Sequence, residues 1–331
     1  MNQSYYENVK SYFEQEKEQN RKLWSVTCLE GARAGEKKLL DENDMPEHFQ
    51  TGVCKMGESM VFAEEIQRSP VCVICGAGHV GIPMIRLASF AGFEVIVVED
   101  RPSFADQARK AGADRVICDS FEKGLEEIEG GQQTYFVVMT RGHRYDEVCL
   151  KMILKKSYAY VGMMASRGRA ARMRSLLLEQ GFSQEKVEEL RMPVGLSIHA
   201  KTPEEIAISV IAQMIEVKNS SGGGAFWDRE ILEAIIHKER GEPWVLATII
   251  RRAGSAPRDM GTKMLMTETG STIGSVGGGC MEAEVIRSAR LWLREKKAPV
   301  KIITADMSGV QAEDAGMVCG GRIEVLLEVI E

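Results

Sequence analysis

Residues 71–101 read VCVICGAGHVGIPMIRLASFAGFEVIVVEDR, and the fold follows from this stretch. Val71 to Cys75 is a short apolar run of the kind buried on both faces of a parallel sheet. Gly76, Gly78 and Gly81 follow in G-x-G-x-x-G spacing. The first permits a tight turn, the second lets a pyrophosphate approach the backbone, and the third lets the ensuing helix pack on the strand. The free N–H groups of that helix's first turn face an anion. Phe93 to Val98 returns as a second strand and ends in Glu99 and Asp100, where a carboxylate can accept from ribose hydroxyls. Strand, turn, helix, strand and terminal acid together specify a Rossmann-type unit. Gly76, Gly78, His79, Gly81, Glu99 and Asp100 are its candidate nucleotide contacts; His79, inside the turn, can orient a ligand or cap the helix. Whether the ligand is NAD(P) is a separate question, because the fold also serves without a dinucleotide.

Downstream the alternation of strand and helix continues, which implies a doubly wound parallel sheet with right-handed crossovers. Further strands are expected at Ala113–Cys118, Thr134–Thr140 and Tyr158–Val161, with helices at 102–112 and 122–129 and a basic helix running to Gln180. The fourth strand delivers Arg141, His143, Arg144 and Asp146 at its carboxyl end, where ligands sit in such sheets. Thr202, Pro203 and Glu205 form a capping box ahead of a helix with one apolar face. Asn219 to Gly224, NSSGGG, is the clearest linker. The expected division is therefore a segment over 1–68, the Rossmann domain over 69–218, and an α+β domain over 225–331. The first piece is short for a self-sufficient domain and needs something to lean on.

Composition narrows the function. Against 42 basic residues stand 48 acidic ones, a net charge of −6, with no basic block to attract nucleic acid. The polar, helically spaced N-terminus lacks the apolar core of a signal peptide, and no run approaches a membrane span, so a cytoplasmic protein is expected. Eight scattered cysteines then read as thiols. Cys72 and Cys75 mimic a C-x-x-C, but residues three apart in a strand point to opposite faces, so both belong to the core.

The two flanks look like versions of one design. KLWSVTCLEGARAGEKKLL lies beside PWVLATIIRRAGSAPRDMGTKML with Thr27 on Thr248, and GVCKMGESMVFAEEIQ lies beside GMVCGGRIEVLLEVIE with Cys54 on Cys319. The N-terminal version lacks a counterpart of GSVGGGC and its following helix. It is a degenerate copy, and chemistry is expected in the C-terminal one.

Several of these stretches resemble the xanthine dehydrogenase accessory protein (XdhC/CoxI) family. The C-terminal unit is similar to the CoxI-type domain through Gly254–Arg258, Gly261, Lys263-Met264, Gly274 to Glu282 and Cys319-Gly320-Gly321; the middle is similar to the Rossmann domain through Gly76–Val80, Asp100-Arg101-Pro102, Tyr160-Val161-Gly162, and Pro193–Leu196 with Thr202–Ala207. Departures exist. The family places its CoxI-type block first, whereas the intact copy here comes last, and its Gly-Leu-Asp-Ile-Gly pattern reads Gly195-Leu196-Ser197-Ile198-His199. The resemblance implies a maturation factor rather than an oxidoreductase: a protein that binds molybdenum cofactor (molybdopterin), protects it and helps load its sulfurated form into a client such as xanthine dehydrogenase, with a sulfur-donating desulfurase as a further partner.

The residues suit that cofactor. Gly277, Gly278 and Gly279 let backbone N–H groups converge, and a helix N-terminus favours negative charge. Cys280 stands at that terminus, where thiolate is favoured, and thiolate is a suitable soft ligand for molybdenum. Cys319 is a second candidate thiol, and Arg258 and Lys263 can contact a phosphate. Two alternatives remain open: an NAD(P)-dependent oxidoreductase using Asp100 with His143 as acid or base, and a nucleotide-sensing regulatory module. The apolar helices and the incomplete N-terminal copy lead to the expectation of a homodimer.

Overall fold

The computed structural model describes residues 3–14, 22–46, 49–66, 69–220, 227–238, 241–254, 256, 258–295, 298–306 and 321–330. In chain order, the first part holds helix α1 (Gln3–Glu14) and strands β1 (Leu23–Cys28), β2 (Lys37–Asp41), β3 (Gly52–Met56) and β4 (Ser59–Glu65). The middle alternates β5 (Val71–Cys75), α2 (Gly81–Phe90), β6 (Glu94–Val98), α3 (Pro102–Ala111), β7 (Arg115–Ile117), α4 (Phe121–Glu126), β8 (Thr134–Val138), α5 (His143–Ile153), β9 (Tyr160–Met163), α6 (Arg167–Glu179), α7 (Gln184–Glu189) and α8 (Pro203–Ser220). The last part holds α9 (Arg229–Ile236), β10 (Trp244–Ala253), β11 (Lys263–Thr267), β12 (Thr272–Gly274), α10 (Gly279–Glu295), β13 (Val300–Asp306) and β14 (Arg322–Ile330). These elements form two compact units. Ser69–Gly223 is one; Met1–Arg68 joins Gly224–Glu331 in the other.

The middle unit is the doubly wound sheet that the alternation implies. Its five strands are parallel in the order β7-β6-β5-β8-β9. Cys72 joins the core packed against α2, α3 and α8, whereas Cys75 joins the one packed against α4, α5 and α6. Both thiols are fully buried, and burial pushes the pKa of Cys72 upward. Thr202 and Glu205 exchange the expected bonds, Glu205 N–H to Thr202 Oγ1 at 3.2 Å and Thr202 N–H to Glu205 Oε2 at 3.1 Å. The third strand is shorter than the pattern suggests. The Asp114 amide still donates to the Val95 carbonyl oxygen at 2.9 Å, but the Val95 amide donates to the Asp114 carboxylate at 2.8 Å instead of to a backbone carbonyl. Helix α7 has almost no apolar pattern to announce it: only Val187 is buried, and Ser183 caps it by accepting from the Lys186 amide.

The flanks build two antiparallel sheets, ordered β2-β1-β4-β3 and β12-β11-β10-β14-β13. Their registers establish the duplication. Thr27 faces Lys37 on β2 and Phe62 on β4; Thr248 faces Lys263 on β11 and Leu326 on β14. Hence Lys37 corresponds to Lys263, and, counting two residues along β4 and β14, Glu64 corresponds to Glu328. The same count corrects one pairing. Cys54 faces Val61, whose equivalent Val325 faces Ile303, so Cys54 corresponds to Ile303 and not to Cys319. The physical reason is the connection: β3 and β4 are joined by Gly57-Glu58, whereas a much longer segment separates β13 from β14, and Cys319 lies in it, outside the described residues.

The two copies exchange charges. Lys263 donates to Glu64 at 2.5 Å, and Lys37 pairs with Glu328 at 3.0 Å; each lysine thus meets the glutamate of the other copy. All four side chains are at most 6% exposed. Each ammonium also lies over an aromatic ring from the N-terminal side of its own copy, Lys37 over Tyr5 at 5.5 Å and Lys263 over Trp227 at 4.5 Å. Around them α1 and α9 share an apolar cluster of Tyr6, Val9, Ile231, Leu232, Leu246 and Ile330. Residues 1–68 thus lean on the C-terminal copy.

The glycine turn separates space from contact. A Cβ on Gly76, at φ 108°, would stand 2.7 Å from the Met139 carbonyl oxygen; one on Gly81 would collide with the Gly76 carbonyl; one on Gly78 would meet nothing within 4 Å. Gly81→Ala should therefore cost about 1–3 kcal/mol in urea denaturation of the full chain, while Gly78→Ala stays within about 0.5 kcal/mol of the parent. Equal costs at the two positions would show that the turn is not packed as described.

Candidate functional site

Two sites stand out, one in each unit. In the flanking unit, β12 ends at Gly274 and α10 begins at Gly279. Gly274 cannot carry a side chain, since its Cβ would stand 2.8 Å from both the Lys263 carbonyl oxygen and Ile231 Cδ1. Gly277, Gly278 and Gly279 take φ values of 136°, 72° and 57°, three successive left-handed residues that only glycine adopts readily. Val276 and Met281 anchor the loop on both sides by inserting into the core beneath. Beside Gly278 and Gly279 there is open space, for an added Cβ would meet nothing within 4 Å. Cys280 is exposed in the first turn of α10.

An internal carboxylate organises this loop. Ser275 Oγ donates to Glu282 Oε2 at 2.5 Å, the Gly278 amide donates to the same oxygen at 3.2 Å, and the Gly277 amide donates to Ser275 Oγ at 3.2 Å. An incoming anion therefore shares the loop with Glu282 or draws on the amides of Gly279 and Cys280, which open the helix without intrahelical acceptors. The S-x-x-x-x-x-x-E spacing of Ser275 and Glu282 is not a standard capping box, so sequence reasoning missed the pair as organisers.

The remaining candidates fare differently. Arg258 is exposed, one residue from Asp259, which pairs with Arg252 at 2.9 Å. Lys263 is buried, its amine held by Glu64 and by the Gly261 carbonyl oxygen at 2.9 Å. Burial lowers its pKa against the opposing pull of Glu64. A phosphate contact through Lys263 is not what this arrangement offers. Among the described residues, no three His, Cys, Asp or Glu side chains gather as a metal-binding group.

In the Rossmann unit the glycine turn sits at the carboxyl end of β5, between the ends of β6 and β8. Glu99, fully buried, accepts from the Ala77 amide at 2.8 Å, the Arg101 amide at 3.1 Å, and the Arg101 guanidinium at 2.7 Å (Nε) and 3.0 Å (Nη2). Burial opposes its ionisation, but the bonds from Arg101 and the Ala77 amide outweigh it and the pKa falls below the usual value. Glu99 thus fixes the turn from below and has no oxygen free for a ribose. Asp100 instead lies at the rim, where Arg141 from the end of β8 holds it in a fork: Nη1 to Oδ1 at 2.6 Å and Nη2 to Oδ2 at 2.8 Å. Sequence reading brought Arg141 to the correct edge but did not pair it, because 41 residues separate the two. His79 is exposed, and no side chain caps α2. His143 is exposed as the first residue of α5, whereas Asp146 turns inward, accepting from Thr140 Oγ1 at 2.6 Å and pairing with Arg169.

Comparison with known proteins bears on both sites. A model described as the XdhC Rossmann domain matches residues 72–214, and one described as the XdhC and CoxI family matches residues 237–304, between them more than half of the chain. The uncharacterized protein YqeB of Escherichia coli (strain K12) is 30% identical over 169 residues, 51% of this chain and 31% of that protein. A protein of Bacillus subtilis (strain 168) named as a probable xanthine dehydrogenase subunit is 30% identical over 158 residues, 48% of this chain and 46% of that protein. The matches thus span less than half the length of these curated relatives. A crystal structure described as a xanthine dehydrogenase from Bacillus halodurans is similar at a TM-score of 0.53 and 25% identity, covering 65% of this chain and 67% of that one. No described helix is long and apolar enough to cross a membrane. With both of its characteristic domains matched in the regions that carry the glycine turn and the glycine loop, the chain belongs to the XdhC and CoxI family.

Proposed function

We propose that this chain is an accessory factor for a molybdenum hydroxylase of the xanthine dehydrogenase type, holding molybdenum cofactor at the glycine loop before α10 for sulfuration and insertion. The observation that carries the reading is the open ground beside Gly278 and Gly279 next to an exposed Cys280. Backbone without side chains admits a bulky anionic ligand closely, the helix start favours its negative charge, and the thiol is a soft donor. When bound, the cofactor supplies a molybdenum centre with oxygen and sulfur ligands that the client uses. This chain's residues bind and orient: Gly279 and Cys280 through their amides, Cys280 through sulfur, and Arg258 through charge. Two relatives named for xanthine dehydrogenase support the choice of client, and a desulfurase is the partner that would supply the sulfur.

The Rossmann unit carries a second reading, a bound NAD(P) nucleotide that regulates the factor. Gly78, beside which an added Cβ would meet nothing within 4 Å, favours it by leaving the backbone open to a pyrophosphate.

The test is anaerobic incubation of the purified chain with freshly released molybdenum cofactor, then gel filtration and assay of the protein peak for molybdenum and oxidised pterin fluorescence. The parent should carry both, and Cys280→Ala, an exposed position whose loss leaves stability within about 0.5 kcal/mol, should lose most of the molybdenum. The same column should show a homodimer. A parent peak without molybdenum or pterin overturns the carrier reading.

A further inference from the structure

We infer that the Rossmann crevice selects a nucleotide whose ribose diol is unphosphorylated, and that Arg141 is the positioning residue that sets this selection by holding Asp100; the inference rests on the nucleotide reading of this unit. By sequence alone the arginine after Asp100 suggests the opposite, because an arginine near the ribose accommodates a 2′-phosphate. The structure removes Arg101 from that role. Its guanidinium is gripped by both oxygens of Glu99 and stacked on Phe104 at 3.6 Å. Moving it to a phosphate would leave a fully buried carboxylate without its countercharge, a strongly unfavourable exchange.

Arg141 is committed as well. Both terminal guanidinium nitrogens engage Asp100, Nη2 also donates to Tyr145 Oη at 2.8 Å, and the guanidinium lies 4.6 Å from the Tyr145 ring. The bridge joins the ends of β6 and β8, so it spans the end of β5 that bears the glycine turn. Arg141 uses one acceptor position on each Asp100 oxygen, and a carboxylate offers about four in all. Two remain, one per oxygen, which matches the two hydroxyls of a vicinal diol. The charges of Glu99, Asp100, Arg101 and Arg141 cancel. A neutral diol meets that balance, whereas a phosphate adds about −1.5 to −2 charges that these four groups leave unbalanced.

The probes are NAD⁺ and NADP⁺, titrated calorimetrically into the full chain and into Asp100→Ala, Arg141→Ala and Gly78→Ala. The parent should bind NAD⁺ at least about tenfold more tightly than NADP⁺, the size expected for losing well-made hydrogen bonds. Asp100→Ala should lose most of that ratio. Arg141→Ala should weaken NAD⁺ about tenfold yet still reject NADP⁺, because Asp100 loses its closest countercharge, keeping only Arg101 at 3.9 Å, and repels the phosphate, a pattern that general loosening of the fold would not produce. Gly78→Ala should weaken both dinucleotides alike. A parent that binds NADP⁺ as tightly as NAD⁺ overturns diol selection while the nucleotide reading stands. Unchanged NAD⁺ affinity in Arg141→Ala overturns the positioning role. If neither dinucleotide binds at millimolar concentration, the nucleotide reading itself fails.

Discussion

Two buried lysines, each facing a glutamate from the other half of a duplicated design, are the constraint on which the flanking unit depends. Lys263 and Glu64 are separated by 199 residues, with the whole Rossmann unit between them in sequence. Taking four charges out of water is costly, and hydrophobic residues of the same shape would often be at least as stable, so the pairs are not there for strength. What they supply is register. A lysine without the opposite glutamate is a buried, uncompensated charge, so neither copy reaches a satisfied core unless the other is present and correctly aligned. The consequence reaches the candidate site directly, because the Lys263 carbonyl is the surface on which Gly274 packs, and Gly274 begins the glycine loop.

The duplication also explains why the chain carries one such loop rather than two. In the N-terminal copy the connection from β2 to β3 is short and brings Met45 and Phe49 against the sheet, Phe49 meeting Trp24 edge-on at 5.3 Å. In the C-terminal copy the same face is covered by α10, through Val285, Ala289 and Trp292. The glycine loop leads directly into that helix, and the N-terminal copy has neither. In the Rossmann unit a single buried carboxylate plays a comparable part: Glu99 ties the glycine turn to Arg101 and leaves Asp100 to Arg141 at the rim.

What could be read in the sequence was local. The glycine turn, the opposite-facing Cys72 and Cys75, and the capping box of Thr202 and Glu205 each follow from spacing over fewer than ten residues, where backbone geometry leaves little choice. The duplication was legible through Thr27 and Thr248, yet the lysines and glutamates that lock it were not, because an ion pair between distant segments leaves no periodic trace. Lys263 accordingly read as a phosphate contact and proved to be core. Glu99 and Asp100 read alike at the end of one strand; only the fold separates them, by alternating one inward and one outward. Ser275 and Glu282 were visible as residues of a motif, but their mutual bond requires the loop's three left-handed glycines.

The most direct measurement is a double-mutant cycle on the crossed pair, with Glu64→Leu, Lys263→Met and the two combined, followed by urea unfolding under tryptophan fluorescence. All four tryptophans lie in the flanking unit, so the signal reports that unit alone. Each single change should cost about 3–5 kcal/mol by leaving an uncompensated buried charge, and the double variant should recover most of that loss. Single changes that cost less than about 1 kcal/mol, or costs that simply add, would contradict the account of two copies held in register by exchanged charges.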